Sequence, residues 1–123
     1  MKLAIAVISD PTRGEEALGR LFNALALAAE ARSSGDQVDV VFVGTGTRWP
    51  AELSRLDHPA HALYESVRPT IKGASRACAL VFDASAGVVE SGVTQIDDNP
   101  LPGTAGLASL RRYLVEGWQT LVF

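Results

Sequence analysis

Lys2-Leu3-Ala4-Ile5-Ala6-Val7-Ile8 is apolar at every position after the lysine, and Ser9-Asp10-Pro11 cuts it off. A run without alternation has no solvent face. It reads as a strand covered on both sides, the condition of a parallel sheet packed between helices. The run is too short for the apolar core of a signal peptide and far too short to span a bilayer. Asp10-Pro11 then offers an N-cap with proline at the first helical position, and Thr12 with Glu15 offers a capping box as the alternative. Leu18, Leu21, Phe22, Leu25, Ala28 and Ala29 recur at helical spacing up to Ser33-Ser34-Gly35, which predicts a helix over about residues 12–33. Residues 38–43 form a second apolar run with Asp39 as its one polar intruder, and Gly44-Thr45-Gly46-Thr47 ends it as a loop. Strand, long helix and strand make a βαβ unit with a right-handed crossover.

Further along, a short helix is expected around residues 50–56, then a His58-Pro59 turn. Leu63, Val67 and Ile71 stand at i, i+4 and i+8 of another helix, which Pro69 kinks or ends near Arg68, since proline lacks the N–H and clashes with the preceding turn. Residues 73–82 contain a short strand that includes Ala77 and stops near Cys78, followed by a helix to about Ser91 and a Gly92 cap. Residues 93–96 are a candidate fourth strand, and residues 97–103 a loop. Leu107, Leu110 and Leu114 mark a last helix, and residues 119–123 a fifth strand. The architecture expected is a three-layer α/β/α domain with a mostly parallel five-stranded sheet, one domain over residues 1–123 with no internal repeat or linker.

Composition agrees with a chain that folds alone: 47% hydrophobic and 20% charged residues lie far from the disordered range. Eleven scattered Lys and Arg residues against 14 acids give a net charge of −3, which leaves no footprint for nucleic acid. One cysteine allows neither an internal disulfide nor a CxxC metal knuckle, which suits a reducing compartment, and a cytoplasmic location away from membranes is expected.

In open parallel sheets ligands sit outside the carboxyl ends of the strands. That rule selects five segments: Ser9, Asp10 and the residues up to Gly14; the loop of Gly44, Thr45, Gly46 and Trp49; Arg76 to Cys78; residues 97–103; and the chain end. The first turn, Ser9-Asp10-Pro11-Thr12-Arg13-Gly14, lacks the glycines of a dinucleotide fingerprint, and Gly44-x-Gly46 lacks the third glycine, so a plain loop is the simpler reading there. No P-loop is present, although Ser9 and Thr12 could supply hydroxyls to a phosphate. A phosphoacceptor receiver would need an acid where Cys78 stands. His58 and His61 flank a proline and make a thin ligand set with Cys78; exposed or capping histidines explain them more simply, as a solvated turn explains Asp97-Asp98-Asn99. No metal and no cofactor is expected.

Cys78 remains. Its neighbours Ala77, Ala79, Leu80, Val81 and Phe82 are apolar, so a packed core thiol is one reading. Position supports another. A thiol at the carboxyl end of a strand and in the first turn of the next helix feels the helix's positive end, which favours the thiolate. Arg76, two residues back and on the same strand face, would reinforce it, and Asp83 would oppose it.

These segments together resemble the DsrE/DsrF family of small sulfur-relay proteins over nearly the whole chain. The resemblance lies in Ile5-Ala6-Val7-Ile8-Ser9-Asp10-Pro11 before an alanine-rich helix and in Val41-Phe42-Val43-Gly44-Thr45-Gly46-Thr47-Arg48-Trp49. It continues in Leu63-Tyr64-Glu65 through Ile71, in Cys78-Ala79-Leu80-Val81-Phe82 with Gly92-Val93 beyond, and in the ending from Leu107 to Phe123. It implies that Cys78 carries sulfur as a persulfide, exchanged with donor and acceptor proteins or small sulfur compounds, and that the chain assembles as a trimer or hexamer. Ser75 stands where some members have a further cysteine, Asp83 where glycine is common, and Pro69 interrupts the helix before Cys78. With no second cysteine, sulfur held on Cys78 must pass to another molecule. A non-catalytic oligomeric module, with a small-ligand pocket between the loop of residues 44–49 and that of residues 97–103, is the alternative. The exposed final strand and the aromatic residues Trp49, Trp118 and Phe123 suit an interface between copies in either case.

Overall fold

The first apolar run becomes β1 (Lys2–Val7), whose residues after the lysine are all buried. β2 (Gln37–Phe42) and β5 (Gln119–Val122) flank it, β3 (Ile71–Ser75) pairs with β2, and β4 (Gln95–Ile96) pairs with β3. In the computed structural model, which describes residues 1–123, the strands form one sheet in the order β4-β3-β2-β1-β5 with every pairing parallel. The sheet is thus wholly rather than mostly parallel.

One face of the sheet, carrying Leu3, Ile5, Val7, Val40 and Phe42, packs under α1 (Gly14–Ser33) through Leu21, Ala24, Leu25 and Ala28. The short helices α2 (Trp49–Leu53), α3 (His61–Ser66), α4 (Arg76–Val81) and α5 (Ser85–Glu90) join this side, giving a cluster of 21 buried residues. The other face has only α6 (Leu110–Val115), and its cluster is four residues, Ala4, Val41, Tyr113 and Trp118. Asp39 faces this thinner layer and accepts a 2.8 Å hydrogen bond from the Tyr113 hydroxyl, which explains how a carboxylate is tolerated inside β2. Burial, and then Asp39, push the Tyr113 hydroxyl pKa well above its ordinary value. The three layers follow from helices on both faces of the sheet.

Five local expectations are corrected. α1 starts at Gly14 without a side-chain cap, because Asp10 is occupied elsewhere: its Oδ1 accepts from the N–H and the hydroxyl of Thr12, both at 2.9 Å. Ile71 opens β3 rather than extending a helix; α3 stops at Ser66, and Arg68–Thr70 is a 3-10 turn with Pro69 inside it. β3 ends at Ser75, so Ala77 is helical and Cys78 is the third residue of α4. The helix foreseen from there to Ser91 is broken at Phe82–Ala84, where Asp83 takes the left-handed conformation (φ 55°) that side-chain-bearing residues rarely adopt. Leu107 precedes the last helix and bridges back to Asn99 instead.

Candidate functional site

A parallel sheet opens a crevice where two neighbouring strands send their chains to opposite faces. Here that happens at β3 and β4. The chain leaves β3 into α4 on the thicker layer and leaves β4 toward α6 on the thinner one. Three contacts tie the two exits. The Ala77 N–H donates to the Gly106 carbonyl at 2.9 Å, and the Ala108 N–H donates to the Ser75 hydroxyl at 3.0 Å. Arg76 Nη1 meets Asp97 Oδ2 at 3.2 Å. Gly106 is required in this join: its φ is +94°, and a Cβ would lie 2.8 Å from the Asp97 carbonyl oxygen.

Cys78 is half-buried beside this crevice and lines a cavity of about 170 Å³ with Ala77, Val81, Phe82, Thr104 and Leu107. The lining is almost wholly apolar, and the depression is open to solvent. Arg76 is not on the strand face beside Cys78, as the sequence suggested. It is the first residue of α4, exposed, and its guanidinium pairs with Asp97. Asp97 and Asp98 are likewise engaged, the second accepting from the Ser109 N–H at 2.7 Å and from Arg112 Nε at 3.3 Å.

Ser9 and Asp10 stand at the carboxyl end of β1. Ser9 is buried, its carbonyl accepts from Trp49 Nε1 at 2.7 Å, and its hydroxyl lies 3.3 Å from the same nitrogen. Asp10 Oδ2 pairs with Arg48 Nη1 at 2.9 Å. Partial burial acts to raise the Asp10 pKa, but the two Thr12 hydrogen bonds and Arg48 outweigh it and leave the carboxyl below the ordinary aspartate value. Ser9, Asp10, Arg13, Glu16, Ala17 and Arg20 line a polar cavity of about 240 Å³ at the start of α1, separate from the one at Cys78.

The glycine loop packs on the end of β1. Gly44–Arg48 coils into a 3-10 turn folded onto the end of β1, where the Thr45 hydroxyl donates to the Ile8 carbonyl at 2.9 Å. Gly46 is buried so close that a Cβ would stand 2.0 Å from the Val7 carbonyl oxygen. Trp49 is 1% exposed and belongs to the core rather than to an interface. No cavity is lined by both this loop and residues 97–103. His58 Nδ1 accepts from the Ala60 N–H at 3.0 Å and His61 Nδ1 lies 2.7 Å from the Leu53 carbonyl; both fasten the turn before α3, and neither lines the Cys78 cavity.

Sequence reasoning overlooked Arg48. It was visible only as a basic residue just past the second strand, and its partners come from two distant segments, at Asp10 and Phe82.

No protein-family model matches the chain. It is 23% identical over 121 residues to the uncharacterized protein MJ0733 of Methanocaldococcus jannaschii, covering 98% of this chain and 94% of that one. Its fold is similar to the solved structure of BT1422, a conserved protein of unknown function from Bacteroides thetaiotaomicron. The TM-score is 0.64 at 18% identity, with 99% of this chain and 94% of the other covered. That likeness concerns the fold alone.

Proposed function

We propose that the chain is a sulfur carrier in which Cys78 holds a sulfane sulfur as a persulfide. The observation that carries the reading is the placement of the one cysteine: half-buried, lining an apolar cavity beside the crevice where the chain leaves β3 and β4 toward opposite faces. The Cys78 thiolate attacks the outer sulfur of thiosulfate or of a small persulfide. The new S–S bond forms as the donor's S–S bond breaks, and sulfite or a thiolate leaves with the electron pair. An acceptor thiolate then attacks the outer sulfur of Cys78, and the Cys78 thiolate is released. No external oxidant or reductant enters. The apolar lining suits a neutral sulfur and the apolar body of its donor, and the partial exposure of Cys78 leaves its outer sulfur open to an acceptor thiolate.

The reading includes a cytoplasmic setting, where free thiols persist, and assembly of several copies. No helix is long and apolar enough to cross a membrane. Support for assembly comes from β5, an edge strand whose Leu121 and Val122 are exposed, next to exposed Leu114 and Val115 on α6.

Thiosulfate or a small persulfide, incubated with the purified protein, is expected to add the mass of one sulfur atom to the wild type and none to Cys78→Ser. Equal addition to both proteins, or to neither, defeats the carrier reading. A second reading, a module that binds a small polar ligand, draws on the cavity at the start of α1 with its two arginines and two acids. It gains if Cys78 in the folded protein resists a small alkylating reagent for hours.

A further inference from the structure

Past the last residue of α4, the chain turns on Phe82, and Phe82 bears on Cys78 in two ways. Its N–H donates to the Cys78 carbonyl at 3.0 Å, and its side chain is one wall of the Cys78 cavity. The Phe82 carbonyl belongs to the end of a helix, where such groups lack a partner in the helix itself. Arg48 supplies one. Its Nε donates to that carbonyl at 3.2 Å, and its guanidinium carbon lies 5.8 Å from the centre of the Phe82 ring. The other side of the same guanidinium is anchored by Asp10 Oδ2 at 2.9 Å, and Asp10 is itself held by Thr12. The following residue, Asp83, sits in the left-handed conformation, so the turn after Phe82 is one the backbone does not adopt by preference.

We infer that Arg48 is a positioning residue for Cys78: anchored on Asp10, it fixes Phe82 and thereby sets how open the cavity at the thiol is. The inference rests on the sulfur-carrier reading for what the thiol does, but its geometry stands apart from it. Arginine is required because one planar group donates in two directions; lysine, a single point of charge, cannot hold both the Phe82 carbonyl and Asp10 in this arrangement. The strut joins the carboxyl ends of β1 and β2 to the helix that follows β3. A change at the start of α1 is thereby felt at Cys78.

The test is the second-order rate of Cys78 alkylation by iodoacetamide in the folded protein at neutral pH. Arg48→Lys is expected to raise the rate about five-fold, the ratio that loss of one hydrogen bond at the Phe82 carbonyl corresponds to. Asp10→Asn should raise it by a smaller factor, and Arg55→Gln, which removes only exposed pairs with Glu52 and Asp57, should leave it unchanged. In a Phe82→Leu background, which keeps the carbonyl but removes the ring beside the guanidinium, Arg48→Lys should raise the rate by a smaller factor than in the wild type, whereas a purely structural Arg48 would act equally in both backgrounds. Should Arg48→Lys not fold, Asp10→Asn with its Phe82→Leu double variant decides. Rates equal to wild type in both Arg48→Lys and Asp10→Asn, or full additivity with Phe82→Leu, overturn the inference. Sulfur loading measured on the same samples separates the two ideas: altered alkylation without any wild-type loading removes the carrier reading and keeps the strut. Normal loading with unaltered alkylation does the reverse.

Discussion

Gly46→Ala adds a single methyl group to a loop that, by sequence alone, would border a ligand pocket. The structure makes it a packing position. The added Cβ would stand 2.0 Å from the Val7 carbonyl oxygen, 2.8 Å from its carbon and 3.2 Å from the Ile8 Cα. All three are backbone atoms, two in the last residue of the buried strand β1 and one just past it, so no side chain can swing aside, and the 3-10 turn itself must lift by about an ångström or more. Overpacking of this kind costs about 1–3 kcal/mol. Lifting the turn also strains its bonds to β1 and its flank, Thr45 Oγ1 to the Ile8 carbonyl at 2.9 Å and Trp49 Nε1 to the Ser9 carbonyl at 2.7 Å, worth about 1 kcal/mol each. The total is about 3–5 kcal/mol, a fall in Tm of roughly 10–20 °C for a domain of this size. Gly19→Ala is the matched control: mid-helix on α1, with nothing within 4 Å of its Cβ, it should stabilise by about 0.5–1 kcal/mol. Urea unfolding followed by circular dichroism and tryptophan fluorescence reads both. If Gly46→Ala stays within about 1 kcal/mol of wild type, the turn is not seated on β1 and the reasoning fails.

Tyr113→Phe, which leaves the Asp39 carboxylate without its hydroxyl partner, should cost about 1–3 kcal/mol by the same assay; a cost near zero would show that water replaces the hydroxyl freely. Because the Tyr113 pKa is raised in the folded state, its contribution is complete below the ordinary tyrosine pKa of about 10 and is lost as pH rises beyond it, so the wild type should weaken on that alkaline limb more steeply than Tyr113→Phe. Sedimentation should give the wild type a mass that is a multiple of the 13.0 kDa chain, with Val122→Lys shifting it toward the single-chain value; a single-chain wild type at micromolar concentration contradicts assembly through the β5 edge.

Most of the layering was legible because β1, β2 and α1 each carry one unambiguous period. The region before Cys78 was not. Ile71-Lys72-Gly73-Ala74-Ser75 has one β-branched residue, and Ile71 also continues the i, i+4, i+8 series of the preceding helix. Its small residues answer to crowding: a Cβ on Gly73 would lie 2.5 Å from the Thr94 carbonyl and 2.7 Å from the Ile96 side chain. Such a strand is shaped by its neighbours across the sheet, which local propensity does not record. Misplacing β3 moved Arg76 onto a strand face, when it is the opening residue of a helix and faces Asp97. Cys78 itself was found by its position after the third strand, and its cavity only by the return of Thr104 and Leu107 from the far side of β4. Asp10 was picked out as an acid at the end of β1; that it serves Arg48 depended on a contact 38 residues away.

The two faces of the sheet differ in how firmly they are closed, 21 buried residues on one and four on the other. Closure of unequal strength means that the molecule does not open as a unit: the segment from Gly106 to the C-terminus has less apolar burial to lose than β1–β3 and detaches at a lower free energy. Leu107 lies in that segment and is also a wall of the Cys78 cavity. Brief excursions of the C-terminal end would therefore uncover the thiol on the side that Leu107 covers. Amide exchange faster in α6 and β5 than in β1, at rates that track Cys78 alkylation, is the signature of such breathing.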